Sequence, residues 1–234
     1  MWETVRDGAS GALVTRRAGV YRKQSDDPRH DLVGEAARLS WLRQHGIPAA
    51  EVLECRRGLL VTAEVPGVPA TGPWPGGRVP AVVDAIADLT RALHALPVDD
   101  CPFDRGLAVT IPEALAAEVD LDDLDEERHG WTRAALVAEL LATRPPDEDA
   151  VVCHGDLCLP NILLDPATCR VSGVIDAGRL GVADRWVDLA IVTRSLAGDP
   201  DPLVGRTVEG YLDRYGVAPD PDKIRFYRLL DEFA

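Results

Sequence analysis

"VVCHGDLCLPNILLDP" (residues 151–166) places His154, Asp156 and Asn161 within eight positions, between apolar residues typical of short buried strands. Fifteen residues after Asn161, Asp176 follows a second apolar stretch and begins the sequence DAG. Phosphoryl transfer from ATP requires a carboxylate that orients and deprotonates the attacking hydroxyl, and oxygen ligands for Mg²⁺ on the phosphates. We therefore predict that Asp156 is the catalytic base and that Asn161 and Asp176 bind Mg²⁺. In the alternative interpretation, Asp156 and Asp176 only cap turns.

A site of this kind also needs a cation that contacts the phosphates of ATP. Lys23 is one of two lysines among 25 basic residues, and it lies at the end of a predicted strand, GVYRKQ. Glu35 lies on the predicted helix that follows, DLVGEAARLSWLRQHG, where its carboxylate can pair with Lys23 as in kinases. We predict this pair; the alternatives are a surface lysine and a solvated helix charge.

Two further segments are predicted to contact the nucleotide. The sequence DGASGA (7–12) joins two predicted strands with small residues, so backbone N–H groups near Ser10 and Gly11 can approach the phosphates. The strand in LLVTAEVPG leads out of the first part of the chain, and we expect the adenine to bond to backbone groups near Thr62 and Glu64.

The hydrophobic pattern divides the chain into two predicted lobes. Residues 1–65 contain short strands, one helix and a hairpin that turns at Arg57-Gly58. The Pro/Gly-rich sequence PGVPATGPWPGGRVP is predicted to interrupt all regular structure, and the second lobe then extends over 66–234. Helices in this lobe are predicted over 81–96, 131–144, 184–196 and 222–233, and short strands end before Asp156 and Asp176.

Charge and composition exclude several function classes. The net charge is −14, and residues 61–234 hold 31 acidic and 15 basic side chains, which disfavours nucleic-acid binding. EVDLDDLDEE (118–127) contains seven carboxylates, which predicts either a cation-binding surface or a solvated helix face. No apolar run approaches the length of a membrane helix, and five cysteines without a C-x-x-C pair indicate reduced thiols. We therefore expect a cytoplasmic protein that does not bind membranes.

Several segments resemble the aminoglycoside O-phosphotransferases, and most of all the 3′-phosphotransferases within that family: VVCHGDLCLPNILLDP, GVIDAGRLGVADRWVDLAIVTR, VDLDDLDEER and FYRLLDEF. The resemblance implies an α+β, bilobal protein-kinase-like fold, with a small N-terminal antiparallel β lobe and a larger, mainly helical C-terminal lobe. It also implies an ATP- and Mg²⁺-dependent enzyme that transfers the γ-phosphate to a hydroxyl of an aminoglycoside, the 3′-hydroxyl for this group, and so confers resistance.

The resemblance implies roles for further residues. Lys23 would contact the α- and β-phosphates, with Glu35 as its partner. His154, Arg179, Asp184 and Asp188 would support the catalytic loop and the metal ligands. The polycationic drug would bind a set of carboxylates together with one arginine that shapes the site: Asp125, Glu126, Asp231, Glu232, the terminal carboxylate of Ala234, and Arg194.

Two differences from related sequences bear on this assignment, and three alternative functions remain open. Ser195 and Ala234 stand where relatives have an aspartate and a phenylalanine, which weakens the prediction of substrate range more than that of the chemistry. The alternatives are a streptomycin 3″-phosphotransferase, which shares CLPN with this chain, another small-molecule hydroxyl kinase, and a nucleotide-binding pseudokinase without turnover. A pseudokinase would be expected to lack Lys23, Asp156 or Asp176, and this chain has all three. We expect a monomer or a weak dimer.

Overall fold

The computed structural model describes residues 1–5, 11–27, 29–198 and 204–234, with side chains from residue 207 onward in the last range. The N-terminal part consists of one antiparallel sheet in the strand order β1-β2-β3-β5-β4, and one helix. These elements are β1 (Glu3–Thr4), β2 (Leu13–Arg17), β3 (Val20–Gln24), α1 (Leu32–Gln44), β4 (Val52–Arg56) and β5 (Leu59–Ala63).

Local sequence signals explain where these elements begin and end. Asp31 caps α1 by accepting a hydrogen bond from the Gly34 amide at 2.9 Å. Gly46 follows the helix with φ +81°, a left-handed conformation that glycine adopts at little cost. The β4–β5 hairpin turns at residues 57–58, as the sequence predicts, with Gly58 at φ +73°.

The remainder of the chain is mainly helical and carries two small sheets. Strands β6, β8 and β9 form one sheet, and β7 pairs with β10 in the other. These elements are β6 (Val68–Pro69), α2 (Val79–His94), α3 (Leu107–Ala116), α4 (Arg133–Ala142), β7 (Ala150–Cys153), β8 (Ile162–Leu164), β9 (Val171–Val174), β10 (Gly181–Asp184), α5 (Trp186–Ala197), α6 (Val204–Tyr215) and α7 (Pro221–Asp231).

The structure confirms the α+β fold class and corrects parts of the element prediction. The Pro/Gly-rich segment does contain regular structure, because β6 pairs with β8 and a 3₁₀ turn covers Gly76–Arg78. The segments that form α3 and α6 were not predicted as helices. Pro112 lies inside α3 and, as a helix breaker, masks the pattern in the sequence.

Backbone hydrogen bonds place β9 against the segment that follows α1. The Ala50 amide donates to the Val174 carbonyl at 3.0 Å, and the Val174 amide donates to the Pro48 carbonyl at 2.9 Å. The main hydrophobic core extends from α1, at Leu42, to α7, at Phe226. The end of β9, where Asp176 lies, is therefore held close to the N-terminal sheet. Among the described residues, no helix has the length and apolarity needed to cross a bilayer. The boundary at residue 65 remains a proposal.

Candidate active site

Asn161 fixes the position of Asp156 in the loop between β7 and β8. The Asn161 Nδ2 group donates to the Asp156 carbonyl oxygen and to Asp156 Oδ2, both at 3.0 Å. The side chain of Asn161 is buried, and a 3₁₀ turn over Leu159–Asn161 brings it back toward Asp156. Since the amide nitrogen makes both bonds, the Asn161 Oδ1 atom remains available for another partner.

Asp188 on α5 fixes the backbone of this loop through hydrogen bonds. The fully buried Asp188 carboxylate accepts the His154 amide at 2.8 Å and the Gly155 amide at 2.9 Å. Gly155 has φ +86°, and a Cβ atom there would lie 2.3 Å from the Arg179 carbonyl oxygen. Only glycine fits, because every other residue would meet both the strained dihedral and the close contact.

The His154 ring joins the loop to the strand that delivers Asp176. Its Nδ1 accepts the Asp156 amide at 3.3 Å, so its Nε2 carries the proton donated to the Ile175 carbonyl at 3.1 Å. The side chain is fully buried. His154 therefore supports the loop as a neutral imidazole and does not face the open side of the site.

Lys23 forms the predicted pair with Glu35 and also contacts Asp176, which the sequence did not predict. Lys23 Nζ lies 2.9 Å from Glu35 Oε2 and 2.9 Å from Asp176 Oδ1. Burial alone would lower the Lys23 pKa, but the two carboxylates outweigh it and raise that pKa above its ordinary value. Burial raises the pKa of Glu35, although Lys23 opposes that effect. The lysine is thus held as a cation that joins α1 and β3 to the end of β9.

Asn161 and Asp176 offer the oxygen donors that Mg²⁺ prefers. Ile162 pairs with Val174, and the Ile175 amide donates to the Asn161 carbonyl at 3.1 Å. Asn161, which precedes β8, therefore lies close to the segment after β9 that carries Asp176. Among the described residues, none donates a hydrogen bond to Asn161 Oδ1 or to Asp176 Oδ2. Asp176 has φ +59°, uncommon for a residue with a side chain and typical of functional positions. This donor set fits the predicted metal.

The predicted nucleotide contacts are placed less completely. Ser10 lies outside the described residues, and Gly11 has φ +65° before β2. Thr62 lies in β5, paired with Tyr21 on one side and Val52 on the other. The Glu64 amide already donates to the Gly19 carbonyl at 2.8 Å. A purine at this strand end would therefore need a different backbone group or would displace that bond, and these contacts remain predictions.

The predicted drug-binding residues lie in an ion-pair cluster that the sequence did not reveal. Arg194 on α5 contacts Asp125 through Nη1 at 2.9 Å and Asp231 through Nη2. Asp231 also pairs with Arg179 at 2.8 Å. Both oxygens of Asp231 and one of Asp125 therefore face guanidinium groups, which the prediction of free carboxylates did not include.

The other predicted members of the drug site differ in accessibility. Glu232 is 6% exposed in its side chain and bonds the Arg128 guanidinium at 3.4 Å and the Asp125 amide at 3.2 Å. It therefore braces the loop that carries Asp125. Glu126 is exposed, with no side-chain partner among the described residues. Ala234 is exposed, and its amide donates to the Asp231 carbonyl.

His94 and Arg128 were not identified from the sequence. His94, in the last turn of α2, contacts Asp188 Oδ2 through Nε2 at 3.1 Å and Tyr215 through Nδ1 at 2.8 Å. Arg128 is almost fully buried behind the acidic loop. Their main partners, Asp188 for His94 and Glu232 for Arg128, lie about a hundred residues away, and only the Arg128–Asp125 pair is local. Spacing in the sequence therefore did not indicate their roles.

The chain is similar to known phosphotransferases over almost its whole length. The model of a phosphotransferase enzyme family, APH, matches residues 3–227. An aminoglycoside 3′-phosphotransferase of Streptomyces fradiae is 52% identical, over 99% of this chain and 94% of the relative. A streptomycin 3″-kinase of Streptomyces griseus is 42% identical, over 98% and 91%.

Two solved structures are similar over almost their whole length. The crystal structure of a type VIII aminoglycoside-3′-phosphotransferase has a TM-score of 0.92 and 48% identity, covering 100% of this chain and 93% of the other. An aminoglycoside phosphotransferase, APH(3″)-Id of Streptomyces rimosus, in complex with ADP and streptomycin, has a TM-score of 0.84 and 35% identity, covering 99% and 92%. The bilobal kinase-like fold expected from the sequence is thus confirmed.

Proposed function

Because the chain belongs to the APH family of phosphotransferase enzymes, we propose that it transfers the γ-phosphate of ATP to the 3′-hydroxyl of an aminoglycoside. The observation that supports the chemistry best is the assembly of Asp156, Asn161 and Asp176 with Lys23 and Glu35. The choice of acceptor rests on the 52% identity to the 3′-phosphotransferase of Streptomyces fradiae, against 42% to the streptomycin 3″-kinase.

Asp156 orients the acceptor hydroxyl and takes up its proton. Asn161 engages Oδ2 of the carboxylate, so Oδ1 of Asp156 is the atom that can accept the proton. Asn161, Asp188 and His154 each bond this short loop, which fixes the direction of the carboxylate before any substrate arrives. Positioning of this kind, together with electrostatic stabilisation of the transferred phosphoryl group, makes up most of what a protein contributes to phosphoryl transfer.

Lys23, Asn161 and Asp176 would hold the phosphates and their metal ion. Bound Mg²⁺·ATP supplies the phosphoryl group and neutralises charge on the phosphate oxygens. Lys23 adds a compact cation held by Glu35, a buried residue of α1. Asn161 Oδ1 and Asp176 Oδ2 are the atoms we assign to the metal.

We place this activity in the cytoplasm, where ATP is available, with resistance to the drug as its consequence. Five unpaired cysteines support a reducing compartment. Four of them, Cys55, Cys101, Cys153 and Cys158, are held as protonated thiols because burial raises their pKa.

The test is ADP release with Mg·ATP against kanamycin A, tobramycin, which lacks the 3′-hydroxyl, and streptomycin. Turnover of kanamycin A without tobramycin supports the 3′ assignment. Turnover of streptomycin alone assigns the enzyme to the 3″ class instead. Absence of turnover with all three drugs would leave a phosphotransferase with another acceptor and would contradict the proposal.

A further inference from the structure

Three arginines neutralise three of the carboxylates that are expected to receive the drug. Arg128, Arg179 and Arg194 face Asp125, Asp231 and Glu232, so the cluster carries no net formal charge. A polycation entering this region therefore meets carboxylates that already have cationic partners. Its ammonium groups can bind them fully only by exchange with a guanidinium.

The pairs in this cluster differ in their access to solvent. The Arg128–Glu232 pair is closed, with 4% and 6% of the two side chains exposed. The Arg194–Asp125 pair is open, with 31% and 30% exposed. A solute can therefore reach Arg194 and Asp125 directly, whereas Arg128 and Glu232 remain a fixed support.

The open pair lies beside the catalytic loop. Ser195, which follows Arg194 on α5, accepts the Leu159 amide at 3.4 Å in that loop. Arg179 follows Asp176 by three residues; its carbonyl oxygen packs against Gly155, and its side chain bonds Asp231. A substrate whose hydroxyl meets Asp156 thus has its neighbouring ammonium groups within the range of this cluster.

We propose that Arg194 is a competing internal cation, which an ammonium group of the substrate displaces from Asp125 and Asp231. The inference rests on the proposed function and adds a determinant of affinity to it. Because one guanidinium joins two carboxylates on separate segments, its replacement favours a ligand that carries two neighbouring ammonium groups. Arg194 would therefore lower the affinity for every aminoglycoside, and most of all for those that present a single ammonium group to Asp125 and Asp231.

The direct test compares the wild-type enzyme with Arg194→Gln. The control is Arg214→Gln, since the Arg214–Asp88 pair is exposed and joins α6 to α2. We expect the KM for kanamycin A to fall about fivefold in Arg194→Gln, a change that corresponds to the free energy of one partly exposed ion pair. The dependence of this KM on the KCl concentration should become steeper, because the freed carboxylates attract the polycation over a longer range. The KM for ATP should not change, and the control should behave as the wild type.

A second measurement follows Arg194 in the wild-type chain and uses a variant only to assign the signal. The guanidinium signal of Arg194 in a ¹⁵N spectrum is assigned by its loss in Arg194→Lys. Saturating kanamycin A without nucleotide should shift that signal and speed the exchange of its protons with water. Signals of Arg128, in the closed pair, should keep slow exchange.

The outcomes separate this inference from the proposed function. Normal wild-type turnover of kanamycin A with an unchanged or raised KM in Arg194→Gln overturns the inference and leaves the function intact. An Arg194 signal that does not respond to saturating drug overturns it independently. A wild-type enzyme that neither binds nor phosphorylates any aminoglycoside removes the proposed function and this inference with it.

Discussion

The side-chain amide of Asn161 donates to both the carbonyl oxygen and the Oδ2 atom of Asp156, each at 3.0 Å. One residue thus orients the proposed base and, through its remaining Oδ1 atom, offers a ligand to the metal. The base and the metal position are therefore fixed relative to each other by a single side chain.

Replacement of Asp156 should abolish proton acceptance without removing the nucleotide contacts. We expect Asp156→Ala to lower kcat by about 10²–10⁴, the range for loss of a general base. Steady-state kinetics and ATP binding by calorimetry measure the two effects. The dissociation constant for Mg·ATP should stay within a few-fold of the wild-type value, and a variant that turns over at a near-normal rate would remove Asp156 from the assignment.

Gly155→Ala should lower the free energy of unfolding more than the same change at another glycine with a similar φ angle. Gly216 has φ +93° with nothing within 4 Å of an added Cβ, so Gly216→Ala reports strain alone, about 1 kcal/mol. At Gly155 the added Cβ also meets the Arg179 carbonyl oxygen. We expect a loss of more than about 2 kcal/mol in the free energy of unfolding, with a large fall in kcat. Equal losses for the two variants in urea titrations would show that the loop adapts freely.

Asp188→Ala should destabilise the catalytic loop and the fold. The change leaves the amides of His154 and Gly155 without an acceptor and removes one of the two partners of the His94 ring. We expect the free energy of unfolding to fall by about 2–5 kcal/mol. Asp88→Ala, in the exposed pair with Arg214, serves as the control and should cost no more than about 1 kcal/mol. A variant as stable and active as the control would contradict the role of Asp188.

The thiol of Cys158 should resist alkylation at ordinary pH. Burial, and then the neighbouring carboxylate of Asp156, raise its pKa to about 12. A raised thiol pKa means that the reactive thiolate is scarce at pH 8 and increases only as the pH approaches that value. Iodoacetamide labelling, followed by mass spectrometry of the peptide that contains Cys158, measures the rate. Asp156→Asn should accelerate labelling because one raising effect is lost; labelling of the wild type at the rate of free cysteine would contradict this.

The sequence predicted those parts of the site whose residues are joined by local motifs. Asp156 and Asn161 were both identified from their spacing in one loop, although the hydrogen bond between them was not predicted. Lys23 and Glu35 were predicted as a pair, and their side chains lie 2.9 Å apart. In both cases the chemistry of phosphoryl transfer restricted the choice of residues.

Tertiary contacts without a local signal were not predictable. The pairing of Arg194 with Asp125 joins α5 to a loop 69 residues earlier, and no periodicity indicates it. The carboxylates of the acidic segment were therefore expected to be free, whereas Asp125 and Glu127 are already paired with arginines. Helix α3 was missed because Pro112 interrupts its pattern, although burial of Leu107 and Ile111 stabilises it.

The most direct test of the account is to locate the phosphate on the product formed from kanamycin A and Mg·ATP by the wild-type enzyme. Phosphorus–proton correlation NMR identifies the carbon that bears the new phosphate ester. The account predicts a single product with phosphate at the 3′ position, formed in equal amount to ADP. Phosphate at another hydroxyl, or ADP accompanied only by inorganic phosphate, would contradict it.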